Sequence, residues 1–91
     1  MSPTRLERLV RGYLDHLSVE RGASVHTVAG YRRDLARYLD FLAARGITEP
    51  QQVGEQDVTD FAAALRSADG ERQPLSPASV ARAVVAVRGL P

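Results

Sequence analysis

The chain has 91 residues, 44% of them hydrophobic, and a formal net charge of +1. That is one domain with room for a single modest core, and too little chain to hold a cofactor domain as well. With no cysteine, neither a disulfide framework nor a cysteine-ligated metal site is available, and a reducing cytoplasm is the expected setting.

Hydrophobic periodicity predicts four helices and no strand, so the expected fold is an all-α, small four-helix bundle with residues 1–91 as a single domain. Met1 leads directly into polar Ser2, Pro3, Thr4 and Arg5, and no long apolar run follows. A soluble protein without a membrane segment is expected. The first helix is predicted from about Thr4 to Glu20, with Leu6, Leu9, Val10, Tyr13, Leu14 and Leu17 at helical spacing and a stop at Gly22. Its polar side carries Arg5, Arg8, Arg11 and Asp15.

A short Gly22-Ala23 link then predicts an antiparallel second helix from Ser24 to Arg45, capped by Ser24 and ended by Gly46. With Leu35 as the core direction and about 100° per residue, Val28, Tyr31, Leu39 and Leu42 fall within about 40° of it. His26, Gly30, Arg33 and Arg37 fall on the opposite side. An apolar seam with an arginine-bearing back is one way to present a helix to a DNA groove. It also describes an ordinary surface helix whose arginines are solvated or paired, and Asp34 and Asp40 are near enough to serve.

Ile47 to Gly54, with Pro50, reads as an irregular segment. A third helix from about Glu55 to Ser67 should bury Val58, Phe61, Ala62 and Leu65. Asp69-Gly70 and Pro74 mark a polar loop, after which Ser76 caps a fourth helix with Pro77 in its first turn. That helix carries Val80, Val84 and Val87 on one side and Ser79, Arg82 and Ala86 on the other.

The small residues Gly30, Ser79 and Ala86 would let a helix backbone approach a groove closely while arginines reach phosphates or base edges. Equally, Gly30 can mark a tight helix crossing, and Ser79 and Ala86 can reflect helix propensity alone. All twelve basic residues are Arg, which fits codon bias in a GC-rich genome or selection for guanidinium forks that grip phosphate and guanine. His16 and His26 lie on different helices with no cluster of metal-ligand spacing around them, so no metal is expected. No nucleophile elbow, glycine-rich phosphate loop or paired-carboxylate motif occurs, so neither a cofactor nor a catalytic residue is expected. Tyr13, Tyr31 and Tyr38 read as packing positions.

The strings GYLDHLSVERGASVHTVAGYRRDLARYLDFLAARGI, VGEQDVTDFAAAL and LSPASVARAVVAVRGL together resemble the SAM-like N-terminal core-binding domain of Xer-type tyrosine recombinases, nearest to the XerD branch. The patterns L-x-x-E-R-G, T-x-x-x-Y-R-R-D-L and R-A-x-x-A-V-R-G carry most of that similarity. The resemblance implies a DNA-binding half-clamp around a recombination half-site, closed by a separate C-terminal catalytic domain. It implies that the second and fourth helices face the major groove of double-stranded DNA. The implied contacts are Ser24, His26, Thr27, Gly30, Arg33 and Arg37 from the second helix, with Ser76, Ser79 and Arg82 from the fourth. Arg32, about 60° from the core direction, could pair with Glu20 or Asp57 as readily as touch a phosphate.

The resemblance further implies a parent enzyme that exchanges DNA strands through a 3′-phosphotyrosyl intermediate, as a tetramer on paired sites with a second recombinase, in chromosome dimer resolution. The family's catalytic domain has no counterpart here, and Tyr13, Tyr31 and Tyr38 sit in no matching motif. The chain is therefore expected to be a fragment unable to cleave DNA alone. Three alternatives stand beside this reading: the equivalent domain of a phage or transposon integrase, a domain inert without its catalytic half, and a helical protein-interaction module. In the last, Arg5, Arg8 and Arg11 would dock on an acidic neighbour.

Overall fold

The computed structural model describes residues 3–19, 22–67 and 75–90. Within them the chain forms α1 (Arg5–Val19), α2 (Val25–Ala44), α3 (Glu55–Arg66) and α4 (Pro77–Arg88), with a short 3₁₀ turn at Pro50–Gln52 and no strand among the described residues. The all-α expectation holds, and the helix ends lie within a residue or two of those predicted. Asp69, Gly70 and Pro74 of the predicted polar loop, and Glu20 at the predicted end of the first helix, fall outside the described residues.

Each helix end has a local cause. The Thr4 hydroxyl accepts from the Glu7 N–H at 3.1 Å, ahead of the α1 run. Gly22 takes φ +61° in the link to α2, a left-handed conformation that costs glycine nothing. At the other end of α2, the Gly46 N–H bonds the Ala43 carbonyl at 3.0 Å and the Ile47 N–H bonds the Leu42 carbonyl at 2.9 Å. With Gly46 at φ +75°, that is a Schellman motif, and half-buried Ile47 supplies its apolar contact. The irregular stretch before α3 tightens into its 3₁₀ turn because the Gln52 side-chain oxygen accepts from the Thr48 and Glu49 N–H groups at 3.0 and 3.1 Å. Asp57, in the first turn of α3, reaches back to the Gly54 N–H at 2.8 Å.

α2 is the central element and touches all three other helices, while α3 also packs on α4. Leu35, Leu42 and Phe61 are at most 1% exposed and form the middle of the core. Truncating any one of them should cost about 2–5 kcal/mol. Phe61 meets Tyr38 and Phe41 at ring-centroid distances of 5.1 and 5.5 Å, tilted by 60° and 57°, within the edge-to-face range that aromatic pairs favour.

The seam of α2 is wider than hydropathy indicates. Besides Val28, Leu35 and Leu42, it buries Gly30, Asp34 and Tyr38. Gly30, Asp34, Tyr38 and Leu42 recur every four residues and extend the buried arc about 140° to one side of Leu35. Two of the four are Gly and Asp, so the extension has no hydrophobic signature. On α4, Ala83 and Ala86 are 0% exposed, and these small side chains let α4 lie close against its neighbours. Ala86 was expected on the open side of that helix; it belongs to the core, and Val85, 61% exposed, faces outward.

Candidate nucleic-acid interface

The predicted contact residues divide into an open set and a set gathered around buried Asp34, in which Arg82 and Gly30 meet across the α2–α4 contact and Arg37 joins from α2. Ser24, His26 and Thr27 are exposed at the start of α2, and Arg33 is exposed further along it. Arg33 has no carboxylate partner among the described residues, and the same is true of exposed Arg32. Of the two partners considered for Arg32, Asp57 is engaged by Arg45 at 3.6 Å and Glu20 lies outside the described residues.

Both helices begin with the same capping device. The Ser24 hydroxyl accepts from the Thr27 N–H at 3.1 Å and donates to the Thr27 hydroxyl at 2.9 Å. The Ser76 hydroxyl accepts from the Ser79 N–H at 3.2 Å and donates to the Ser79 hydroxyl at 3.1 Å. In each pair the accepting hydroxyl keeps its own proton for an outside acceptor. A helix start also concentrates unpaired N–H groups and partial positive charge, which suit an anion. Val25, at the head of α2, is 83% exposed.

Gly30, Arg37 and Arg82 are placed differently. Gly30 is buried, and a Cβ there would lie 3.7 Å from Nε, Cζ and Nη1 of Arg82. The open face predicted for it is covered by that guanidinium, so the helix-crossing reading of Gly30 is the one that fits. Arg82 runs across Gly30 to Asp34, one turn further along α2. Its Nε donates to Asp34 Oδ2 at 2.7 Å and its Nη2 to Oδ1 at 3.0 Å. Arg37 Nη1 donates to the same Oδ1 at 3.3 Å. Asp34 itself is 0% exposed. Its hydrogen bonds hold the Arg82 guanidinium above the ordinary arginine pKa, against the partial burial that pulls the other way.

Asp34 is the residue that sequence reasoning missed. Its spacing marks it only as a surface partner for arginines, whereas the structure buries it and bonds it to an arginine 48 positions away. Hydrophobic periodicity carries no signal for it, because the buried Gly30, Asp34, Tyr38, Leu42 ladder is half Gly and Asp. His16 is exposed on α1 and His26 on α2. Among the described residues no group of three or more His, Asp or Glu is placed to hold a metal ion. No described helix is long and apolar enough to cross a membrane.

A family model described as the phage integrase N-terminal SAM-like domain matches residues 10–90. The chain belongs to that family. Tyrosine recombinase XerD of Mycobacterium tuberculosis (strain H37Rv) is 52% identical over 83 residues, covering 89% of this chain and 27% of the relative. XerD of Mycobacterium leprae is 46% identical over 92 residues, covering 99% of this chain and 29% of the relative. A XerC of Pseudomonas putida (strain F1) is 38% identical over 85 residues, covering 93% of this chain and 27% of the relative. The SAM-like chain thus spans less than a third of the length of these curated relatives. No solved structure matches it at a significant level.

Proposed function

We propose that this chain is the DNA-binding domain of a site-specific tyrosine recombinase, holding duplex DNA at a recombination half-site so that a separate catalytic domain can attack one phosphate in line. The observation that carries the reading is the exposed pair Arg32 and Arg33, without carboxylate partners among the described residues, on a chain 52% identical over 83 residues to a protein named tyrosine recombinase XerD. Uncompensated guanidiniums on a helix face suit phosphate oxygens and guanine edges. Ser24, His26 and Thr27 add hydroxyl, imidazole and helix-start donors at the head of α2, and Ser76 and Ser79 add hydroxyl and helix-start donors at the head of α4. Arg37 and Arg82 contribute the positive excess around Asp34, and Gly30 contributes by leaving Arg82 a flat path over α2.

The domain's part in the reaction is positioning; chemistry belongs to the catalytic partner. The family resemblance supports assembly as a tetramer on paired sites with a second recombinase, in the cytoplasm, with chromosome dimer resolution as the task. A net charge of +1 makes binding depend on local arginine clustering, so affinity should be weak and should fall steeply with salt.

The test is an NMR titration of the chain with a short duplex carrying a Xer-type half-site, repeated with a scrambled duplex and at raised salt. Salt-sensitive shifts confined to residues 24–37 and 76–86 are expected. Arg33→Gln should weaken binding while leaving the thermal midpoint in place. A flat titration, or shifts confined to the Arg5, Arg8 and Arg11 side of α1, would overturn the reading.

A further inference from the structure

Asp34 is a carboxylate at 0% exposure on a helix that otherwise buries apolar side chains, a glycine and a tyrosine. Taking a carboxylate out of water is costly, and an ion pair in its place seldom stabilises more than a well-packed apolar side chain would. One guanidinium suffices to neutralise it. Two reach it, from two helices, and both stay partly in solvent: the Arg37 side chain is 32% exposed and that of Arg82 40%.

The cluster therefore holds one positive charge beyond what its carboxylate needs. No other described carboxylate pairs with either arginine. Arg82 is gripped through Nε and Nη2, which leaves Nη1 and its two protons for another acceptor. Arg37 is held through Nη1 alone, with Nε and Nη2 uncommitted. Both guanidiniums are tied to a point that cannot move without opening the α2–α4 contact. Much of the rotamer freedom that a long cation normally loses on meeting a phosphate has already been given up in folding.

We propose that Asp34 is a positioning residue for phosphate recognition: it fixes Arg37 and Arg82 at the α2–α4 junction so that a single DNA phosphate is received by their uncommitted N–H groups. This rests on the DNA-binding reading above. It adds that the anchor is a buried acid, and that the two arginines act as one preorganised fork rather than as two mobile charges.

Charge and geometry make opposite predictions for Asp34→Asn. The substitution makes the chain one charge more positive, so if the arginines act only through their charge, a duplex should bind more tightly. If Asp34 positions them, binding weakens despite the added charge, because an amide offers one acceptor where the fork needs two. The experiment measures affinity for a mixed-sequence duplex across a salt series, at a temperature well below the unfolding midpoint of each variant. Asp34→Asn should weaken binding roughly tenfold, the worth of a charge-assisted hydrogen bond. The slope of log affinity against log salt should shrink by about 0.9, one phosphate contact. A purely structural role would leave that slope in place.

Arg82→Lys serves as the second variant, since it keeps the charge and removes the fork. A similar loss of affinity and slope is expected, and in Asp34→Asn the slow-exchanging Arg82 Nε–H signal that wild-type NMR spectra should show is expected to weaken or broaden. Wild-type affinity and slope in both variants would overturn the role of Asp34 and leave the DNA reading intact. Tighter binding by Asp34→Asn would do the same. Absence of duplex binding by the wild-type chain would overturn both.

Discussion

Two arginine–carboxylate clusters sit on α2, and in charge they are near mirror images. Midway along the helix one carboxylate, Asp34, lies between two guanidiniums, those of Arg37 and Arg82. At the C-terminal end one guanidinium, Arg45, lies between two carboxylates, Asp57 at 3.6 Å and Asp60 at 2.9 Å. The first cluster has an excess of positive charge around a fully buried centre; the second has an excess of negative charge and leaves every member in contact with water. Similar ion pairs thus serve two purposes, and what separates them is which charge is buried at the centre. The centres lie about 16 Å apart along the helix at 1.5 Å per residue, so the helix carries a charge gradient. A polyanion meeting α2 would be drawn to the Arg33 and Arg37 region and repelled from the end beside α3.

The largest effect that bears on this contrast is expected from Arg82→Ala. It would leave Asp34 buried with only the 3.3 Å contact to Arg37, and it should destabilise the fold by about 3 kcal/mol in urea denaturation. Arg45→Ala frees two carboxylates that water already reaches. Its cost should stay below about 1 kcal/mol, even with the loss of the Arg45 contact 5.0 Å over the Phe41 ring. Equal losses in the two variants would break the distinction between the clusters.

Gly30 sharpens the same contrast with a smaller effect. A Cβ at 3.7 Å from the Arg82 guanidinium is an ordinary contact, so Gly30→Ala should be neutral or gain up to about 1 kcal/mol of helix propensity. Gly30→Leu has to push the guanidinium off Asp34 and should lose about 1–3 kcal/mol in the same assay. If Leu were tolerated as well as Ala, Arg82 would not depend on a flat path across α2.

These variants also mark where the sequence was readable. The caps at Ser24 and Ser76, the stops at Gly22 and Gly46, and the buried set Val58, Phe61, Ala62 and Leu65 follow from local chemistry and period alone, and the structure has them where they were expected. The second seam of α2 was not readable in that way. Helical periodicity finds a face by its apolar residues, and this face is built from Gly30 and Asp34 on α2 against Ala83, Ala86 and Arg82 on α4. An acid at a core position is legible only through a partner 48 residues away, and single-chain patterning says nothing of such pairs. For the same reason Gly30, Arg37 and Arg82 looked like members of an open face equivalent to His26 and Arg33, whereas only the latter two stand clear of the helix contact.

The smallest effect, and the most direct probe of the negative cluster, is the ionisation of Tyr38. This tyrosine lies between the two centres in sequence and is buried against Phe61. Its phenol pKa is raised above the ordinary value of 10.0, chiefly because burial disfavours the phenolate and secondarily because Asp57 repels it. The unfolded chain therefore gives up this proton first as pH rises. Stability from Tyr38 is fully present below about pH 10 and is lost as pH climbs through the higher folded value. Alkaline titration followed by phenolate absorbance should show a late phase from Tyr38, and Tyr38→Phe should remove it. Asp57→Asn keeps a side-chain oxygen to cap the Gly54 N–H while removing the charge, so it should bring the Tyr38 pKa part of the way back and leave the larger effect of burial standing. An unchanged Tyr38 titration in Asp57→Asn would mean that Arg45 fully offsets its two carboxylates, and the charge gradient along α2 would then arise from the Asp34 cluster alone.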